Sequence, residues 1–123
     1  MKKIAILACD NIRKKNLCPG DVRCLVAANR NEGEFERYKD EGVAVLGIID
    51  CGECEGNKSR AVLSLAVLKG PLALLNEKLD AIHIGTCMMN FCPRKDDLLK
   101  VIKERAGIEI VEGTHKYMPP TIF

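Results

Sequence analysis

The sequence has little net charge and lacks the motifs of several common functions. Its 19 Lys and Arg residues and 17 Asp and Glu residues leave a formal charge of +2. This balance gives no electrostatic reason to expect nucleic acid or an anionic membrane as a partner. The chain has no Gly-x-Gly-x-x-Gly or Walker-type loop, so a nucleotide cofactor has no support. It also has no Ser-centred nucleophile elbow. We expect a small ligand or a protein as the partner.

Long apolar runs are also missing. The N-terminal run, Ile4–Cys9, is about six residues long, shorter than the apolar region of a secretory signal. The most apolar stretch, Ala61–Leu75, contains Lys69 and a Gly70-Pro71 pair and falls short of the roughly 20 residues that span a bilayer. We therefore expect a cytoplasmic protein with no membrane partner. Its 123 residues with 47% apolar content predict a single domain, 1–123.

Cysteine, in contrast, is abundant. Seven cysteines in a reducing compartment are an improbable disulfide framework, and an odd number cannot pair completely within one chain. Metal binding and redox chemistry are the leading interpretations. The alternative is that some of the thiols are only small buried apolar groups, as for Cys9 at the end of a strand.

The apolar pattern predicts an α/β fold. Val- and Ile-rich runs predict four strands, and helical segments separate them. This alternation predicts a mostly parallel four-stranded sheet in a three-layer α/β/α domain, Rossmann- or flavodoxin-like, with strand order 2-1-3-4. The predicted strands are Ile4–Cys9, Val43–Asp50, Ala81–Cys87 and Ile108–Thr114. The predicted helices are Asp21–Asn29, Glu34–Lys39, one from Asn57 or Ser59 to Lys69, Leu72–Leu79 and Lys95–Ala106.

This fold predicts where the cysteines meet. The carboxyl ends of parallel strands share one sheet edge, where ligands bind in open α/β sheets. Four thiolates there suit tetrahedral zinc or a [4Fe-4S] cluster, with zinc the first choice. The Cys-x2-Cys spacing is the stronger half of the pattern, and a Cys-x4-Cys spacing is the weaker half. The predicted principal ligands are Cys51, Cys54, Cys87 and Cys92, with Cys9 and His115 as additional or alternative ligands, and Cys18 and Cys24 could add a loop ligand or a second site.

Other side chains at this edge have two interpretations each. Lys58, Arg60, Arg94, Lys95 and Lys116 could compensate the charge of a metal held by four thiolates, or could be ordinary solvated surface. His115 is either a turn residue or a group that binds a ligand or handles a proton. His83, inside the third predicted strand, we interpret as structural.

Three other hypotheses stay open. A thiol-disulfide or persulfide enzyme would cycle Cys51 and Cys54 with Cys87 or Cys92 resolving, although Glu53 and Glu55 oppose a thiolate. The segment Cys54–Arg60 also fits the Cys-x5-Arg anion loop of small tyrosine phosphatases and arsenate reductases, although Glu55 would repel a dianion. In the third hypothesis, a structural module, the apolar segment 61–75 would form a homodimer surface. The ligand in the enzyme hypotheses would be small and thiol-reactive.

Several ordered motifs together carry a family resemblance. They are CPG at Cys18–Gly20 followed by Cys24, FERY at Phe35–Tyr38, CGEC at Cys51–Cys54, HIGTCMMNFCP at His83–Pro93 and EGTH at Glu112–His115. Over nearly its whole length the chain resembles the CGGC-domain family, small proteins of bacteria and archaea named for a Cys-Gly-Gly-Cys motif. The resemblance implies metal binding through the Cys and His residues. Glu53 replaces the second glycine of that motif, where it could tune the site, reach the ion or face solvent, and it would be strained if the position needs a positive φ.

Overall fold

The computed structural model describes residues 1–9, 22–51 and 58–115, and it forms a parallel α/β sheet. The strand order is β2-β1-β3-β4, and every neighbouring pair is parallel, which confirms the predicted fold class and order. The strands are β1 (Lys2–Ala8), β2 (Val43–Asp50), β3 (Ala81–Ile84) and β4 (Glu109–Glu112). The helices are α1 (Val22–Arg30), a 3-10 helix (Gly33–Tyr38), α2 (Lys58–Leu74), α3 (Thr86–Phe91) and α4 (Lys95–Ala106).

Helices cover both faces of the sheet because alternate strand residues are apolar on both sides. In β1, Leu7 packs on the face that we call the front, with residues of α2, α3 and α4, whereas Ile4 and Ile6 pack on the back, with α1 and the 3-10 helix. The fold is therefore three layers deep, and the central strand β1 is shielded from solvent on both sides.

A β-bulge alters the alternation in β2. The register with β1 shifts after Ile4, which pairs with Val45, because Ala5 pairs with Gly47. Val43 and Val45 consequently pack on the back face before the bulge, and Ile48 does so after it. One extra residue in β2 reverses the face of the sheet to which each later side chain points. Simple alternation along this strand would therefore assign Ile48 to the wrong face.

The third strand is shorter than predicted. The expected strand Ala81–Cys87 ends at Ile84, and α3 begins at Thr86 in its place. The last ladder bond runs from the Gly85 N–H to the Leu7 carbonyl at 2.8 Å. The N–H groups of Met88 and Met89 then bond back to the Gly85 carbonyl and start the helix. Cys87 therefore lies on a helical turn.

The predicted helix end at Lys69, before Gly70-Pro71, was also wrong. Helix α2 continues through both residues to Leu74, and the separate helix Leu72–Leu79 does not form. An interior proline removes one helical hydrogen bond and its ring crowds the carbonyl four residues earlier. The helix nevertheless continues for one more turn, to Leu74. It ends in a Schellman motif in which Asn76 has φ 59° and the Glu77 N–H bonds to the Leu72 carbonyl at 2.8 Å.

The remaining helices agree better with prediction. Helix α4 spans Lys95–Ala106 as predicted and ends at Gly107, whose φ of 70° is the left-handed conformation of a helix stop. Helix α1 lies one residue later than predicted, and the segment expected as a short α-helix from Glu34 is a 3-10 helix from Gly33. In the part of the chain that is described, no helix has the length and apolar character needed to cross a bilayer.

Candidate thiolate site

Two cysteines directly follow the two neighbouring strands β1 and β2. The Cys51 N–H donates to the Ala8 carbonyl at 3.0 Å, which extends the β1–β2 ladder by one bond beyond β2. Cys9 and Cys51 are only 2% and 7% exposed, and both belong to the front core cluster. The strand ends thus carry two buried thiols to the same sheet edge, as the parallel topology requires.

A third cysteine joins them through a direct hydrogen bond. The Cys9 N–H donates to the Sγ of Cys87 at 3.1 Å, across a sequence separation of 78 residues. A backbone N–H aimed at sulfur favours the thiolate over the thiol, which is the form that binds a metal or attacks a disulfide. Gly85 makes room for this contact, because a Cβ there would lie 3.1 Å from the Cys87 Sγ and 3.2 Å from the Leu7 carbonyl oxygen.

The fourth cysteine, Cys92, lies at the end of α3. Its N–H bonds to the Met88 carbonyl at 3.0 Å, so the short helix sets the separation between Cys87 and Cys92. Cys87, Met89 and Cys92 all pack against the front cluster, and buried Met88 belongs to it. The structure therefore gathers sulfur-bearing side chains of three separate chain segments on the front face.

The predicted ligand set is only partly described. Cys9 and Cys51 lie in this front cluster and Cys87 and Cys92 pack against it, whereas Cys54 and Cys18 lie outside the described residues. Within residues 1–9, 22–51 and 58–115, no three His, Cys, Asp or Glu side chains are positioned together as metal ligands. The donor chemistry fits a soft metal, because thiolates are its preferred protein ligands. The described residues alone do not form a closed coordination shell.

Basic residues border the site at Cys92. Arg94 and Lys95 line a shallow groove of about 260 Å³ with Cys92, and the Lys95 Nζ reaches the Met89 carbonyl at 3.5 Å. Asp96 and Asp97 line the same groove, so its charges are balanced. The side chains of Lys58 and Arg60, and the whole of Lys116, lie outside what the structure describes.

Cys24 lies on the other side of the sheet. It belongs to the back cluster, and its Sγ donates to the Thr114 Oγ1 at 3.4 Å. The sheet itself separates this thiol from the front cysteines. His115, at the end of the described chain, lines a groove of about 1000 Å³ along α1, together with residues such as Val26 and Gly33. Its role as a metal ligand stays a prediction.

A pair of threonines that the sequence analysis did not single out joins two loops of the candidate site. The Thr86 N–H donates to the Thr114 Oγ1 and the Thr114 N–H donates to the Thr86 Oγ1, each at 3.1 Å. The Thr86 hydroxyl also donates to the His115 carbonyl. This reciprocal pair joins the loops that carry Cys87 and His115. The only signal in the sequence was that each threonine immediately precedes one of those residues.

His83 has a structural role, in agreement with its interpretation from sequence. Its ring is fully buried, Nδ1 donates to the Gly113 carbonyl at 2.9 Å, and Nε2 accepts from the Tyr38 hydroxyl at 2.8 Å. The Phe35 ring packs against it with centroids 4.7 Å apart. Burial lowers the pKa of His83 from its ordinary value and raises the pKa of Tyr38, so both side chains favour their neutral forms.

A parallel sheet with a cysteine-rich carboxyl edge defines the general class, and comparison with known proteins defines the family. The CGGC domain matches residues 3–115, and the chain belongs to this family. An uncharacterized protein of Methanocaldococcus jannaschii is 36% identical over 120 residues, which cover 92% of this chain and 86% of the relative. No solved structure matches the sequence significantly.

Proposed function

We propose that this protein binds a thiophilic metal, zinc first or an iron-sulfur cluster second, through cysteine thiolates at the carboxyl edge of the sheet. The observation that carries the proposal is that Cys9 and Cys51 belong to the front core cluster and Cys87 packs against it, with the Cys9 N–H donating to the Cys87 Sγ at 3.1 Å. That hydrogen bond stabilises a thiolate in an apolar environment, where an uncompensated negative charge would be costly.

The ligands in this proposal come from three chain segments that meet at one edge. Cys51 and Cys87 are principal ligands from the β2 and β3 ends, Cys92 follows on the same short helix, and Cys9 is an alternative ligand. Cys54 and His115, predicted from the sequence, complete the candidate set. A bound ion would supply positive charge that neutralises the clustered thiolates and crosslinks these loops.

The test is the metal content of protein purified anaerobically, without chelator or an affinity metal column. We expect near-stoichiometric zinc or iron in the parent protein and loss of that metal in Cys51→Ser and Cys87→Ser. Cys24→Ser is the matched control, because it changes the same chemical group on the opposite face of the sheet. Metal loss should also lower the unfolding temperature, since the binding free energy of a structural metal contributes to folding.

A metal-free parent protein that is fully folded would refute this function. Equal metal loss in Cys24→Ser and Cys51→Ser would refute the assignment of the front-face ligands. The zinc and cluster alternatives separate in the same preparation, because an iron-sulfur cluster absorbs visible light and contains acid-labile sulfide, whereas a zinc site does not.

The second candidate is a thiol-disulfide or persulfide enzyme that uses Cys51 and Cys54 and works in a reducing cytoplasm. The same Cys9-to-Cys87 hydrogen bond favours it, because a stabilised thiolate at Cys87 suits a resolving nucleophile. In this case Cys51→Ser abolishes exchange with a disulfide substrate and leaves the unfolding temperature almost unchanged. The metal proposal expects the opposite pattern. The Cys54–Arg60 anion loop stays a lesser alternative, and most of it lies outside the described residues.

A further inference from the structure

Helix α2 has an exposed face with unusual composition. Its outward side carries a row at helical spacing: Leu63, Val67, Gly70, Pro71 and Leu74, which we call the apolar stripe. Leu63, Val67 and Leu74 are 61%, 70% and 87% exposed, and Leu75 just beyond the helix is 71% exposed. A helix that is apolar all round is normally buried on all sides. Of the α2 side chains that the structure describes, Leu65 is the fully buried one, and it enters the front core.

Charge is missing from the stripe itself. Among the side chains of α2 that the structure describes, Lys69 is the charged one, and its Nζ is directed to the Ala106 carbonyl at 2.6 Å on α4. An isologous contact pairs two copies of one surface, so a charge in the patch would meet its own copy at the two-fold axis or an apolar side chain elsewhere, and both contacts are unfavourable. The uncharged stripe can pair with its own copy without that cost.

No contact among residues 1–9, 22–51 and 58–115 explains the glycine at position 70. A Cβ at this position would meet no heavy atom within 4 Å, so packing in the monomer does not require a glycine. Glycine within a helix costs about 1 kcal/mol relative to alanine, and proline costs more. Together with exposed Ala66 and Ala73, Gly70 makes the middle of the stripe shallow. Small residues at such a point let a second helix approach closely.

The available area is sufficient for a modest dimer. The stripe and its flanking alanines and Leu75 expose on the order of 700 Å² per chain, above the usual 300–600 Å² of the largest apolar patch on a monomer. A standard interface takes about 800 Å² from each partner. The stripe thus approaches the area required of a specific, reversible interface.

We propose that the apolar stripe of α2 is a homodimer interface, in which two copies pair antiparallel about a two-fold axis near Val67 and Gly70. The axis position follows from the stripe, whose midpoint lies between these residues. The interface involves none of the front-face cysteines, so the proposal is independent of the metal proposal. The partner is a second copy of this chain, because the stripe is apolar, uncharged and able to complement itself.

The test is sedimentation equilibrium of the full chain over about 1–100 μM, a range that covers a dimer of ordinary reversible affinity. We expect the parent protein to dimerise and Val67→Glu to weaken the dimer by tenfold or more. Val22→Glu is the matched control, since Val22 is also exposed, at 52%, but lies on α1 at the back of the sheet. Circular dichroism melting checks that each variant is folded.

A charge-reversal pair makes the test specific to the two-fold axis. Val67→Lys and Val67→Glu should each be monomeric alone, and an equimolar mixture should form a heterodimer, because the axis places the two new charges near each other. Cys51→Ser should dimerise like the parent, which separates this outcome from metal loss. A monomeric parent protein, a Val67→Glu variant that dimerises normally, or a mixture that stays monomeric would each overturn the proposal.

Discussion

The two faces of the sheet stabilise the same fold by different means. On the back, directional hydrogen bonds hold the polar groups: His83 donates to the Gly113 carbonyl at 2.9 Å and accepts from the Tyr38 hydroxyl at 2.8 Å. On the front, sulfur and aliphatic side chains fill the core around Cys9 and Cys51. The two faces therefore suit different roles. Fixed hydrogen bonds support a rigid structure, whereas thiols can release protons and bind a ligand.

The two faces also differ in the charge state that they favour in their polar side chains. Burial on the back keeps His83 neutral, and both of its ring nitrogens are occupied by partners within the fold. On the front, the Cys9 N–H donates to the Cys87 Sγ at 3.1 Å, a contact that would stabilise negative charge on the sulfur. We therefore expect changes on the back to alter mainly stability, and changes on the front to alter mainly ligand retention.

The largest expected effect is a loss of stability from a substitution on the back face. Gly33 has φ 60°, and a Cβ there would lie 2.4 Å from the Thr114 carbonyl oxygen, so Gly33→Ala must displace backbone. We expect a loss of about 3 kcal/mol in the free energy of unfolding, measured by urea denaturation. Gly107→Ala is the control, because φ is 70° there but the space is open, and it should cost only about 1 kcal/mol. Equal losses in Gly33→Ala and Gly107→Ala would show that the close contact with Thr114 does not add to the cost of the substitution.

The second effect tests whether the back face holds His83 neutral. The native pKa of His83 is lowered by burial below the ordinary 6.5, so above pH 6.5 both the folded and unfolded states are neutral. As pH falls below 6.5, the unfolded state takes up a proton first, and stability falls by at most about 1.4 kcal/mol per pH unit from this residue. Unfolding free energies between pH 7.5 and about pH 5 measure this slope.

Two variants isolate the contribution of His83. His83→Gln removes the titrating ring and should flatten this part of the pH profile, whatever its effect on overall stability. His115→Gln changes the other histidine of the chain and should leave the His83 contribution in place. A profile that His83→Gln leaves unchanged would contradict a neutral native His83.

The smallest expected effect on stability concerns the front. A Cβ on Gly85 would lie 3.1 Å from the Cys87 Sγ and 3.4 Å from the Ala8 Cα, so Gly85→Ala shifts the thiol slightly. We expect a cost of about 1 kcal/mol, together with faster release of bound metal to a chromogenic chelator. Gly70→Ala, with open space around the added methyl, is the control and should release metal at the parent rate. Unchanged release in Gly85→Ala would argue that Cys87 is not a ligand.

The fold was largely predictable because its signals are local. The apolar run Val43–Asp50 and the periodic segment Lys95–Ala106 with its glycine stop were predicted with the boundaries that the structure has. The errors fall where local signals compete. Gly70-Pro71 predicted a break that the rest of α2 overrides, and the apolar residues after Ile84 fit a strand by composition but form a helix once Gly85 bonds to Leu7.

The candidate site was predictable in part, for a topological reason. Parallel strands bring their carboxyl ends together, so the positions of Cys9, Cys51 and Cys87 after three strands were enough to predict that all three lie at the same sheet edge. Their separation from Cys24 depends on which face each side chain occupies. Spacing alone did not reveal it, nor did it reveal the reciprocal bonds between Thr86 and Thr114, which form across 28 residues.

The sequence by itself determined the strand and helix order, the family and the presence of a cysteine-rich sheet edge, because hydrophobic periodicity and local motifs are encoded residue by residue. Only the tertiary structure decided which thiol accepts the Cys9 N–H, that Cys24 lies across the sheet, and that the stripe on α2 is exposed. These properties depend on packing between distant segments, and a one-residue bulge or a single buried hydrogen bond is enough to change them.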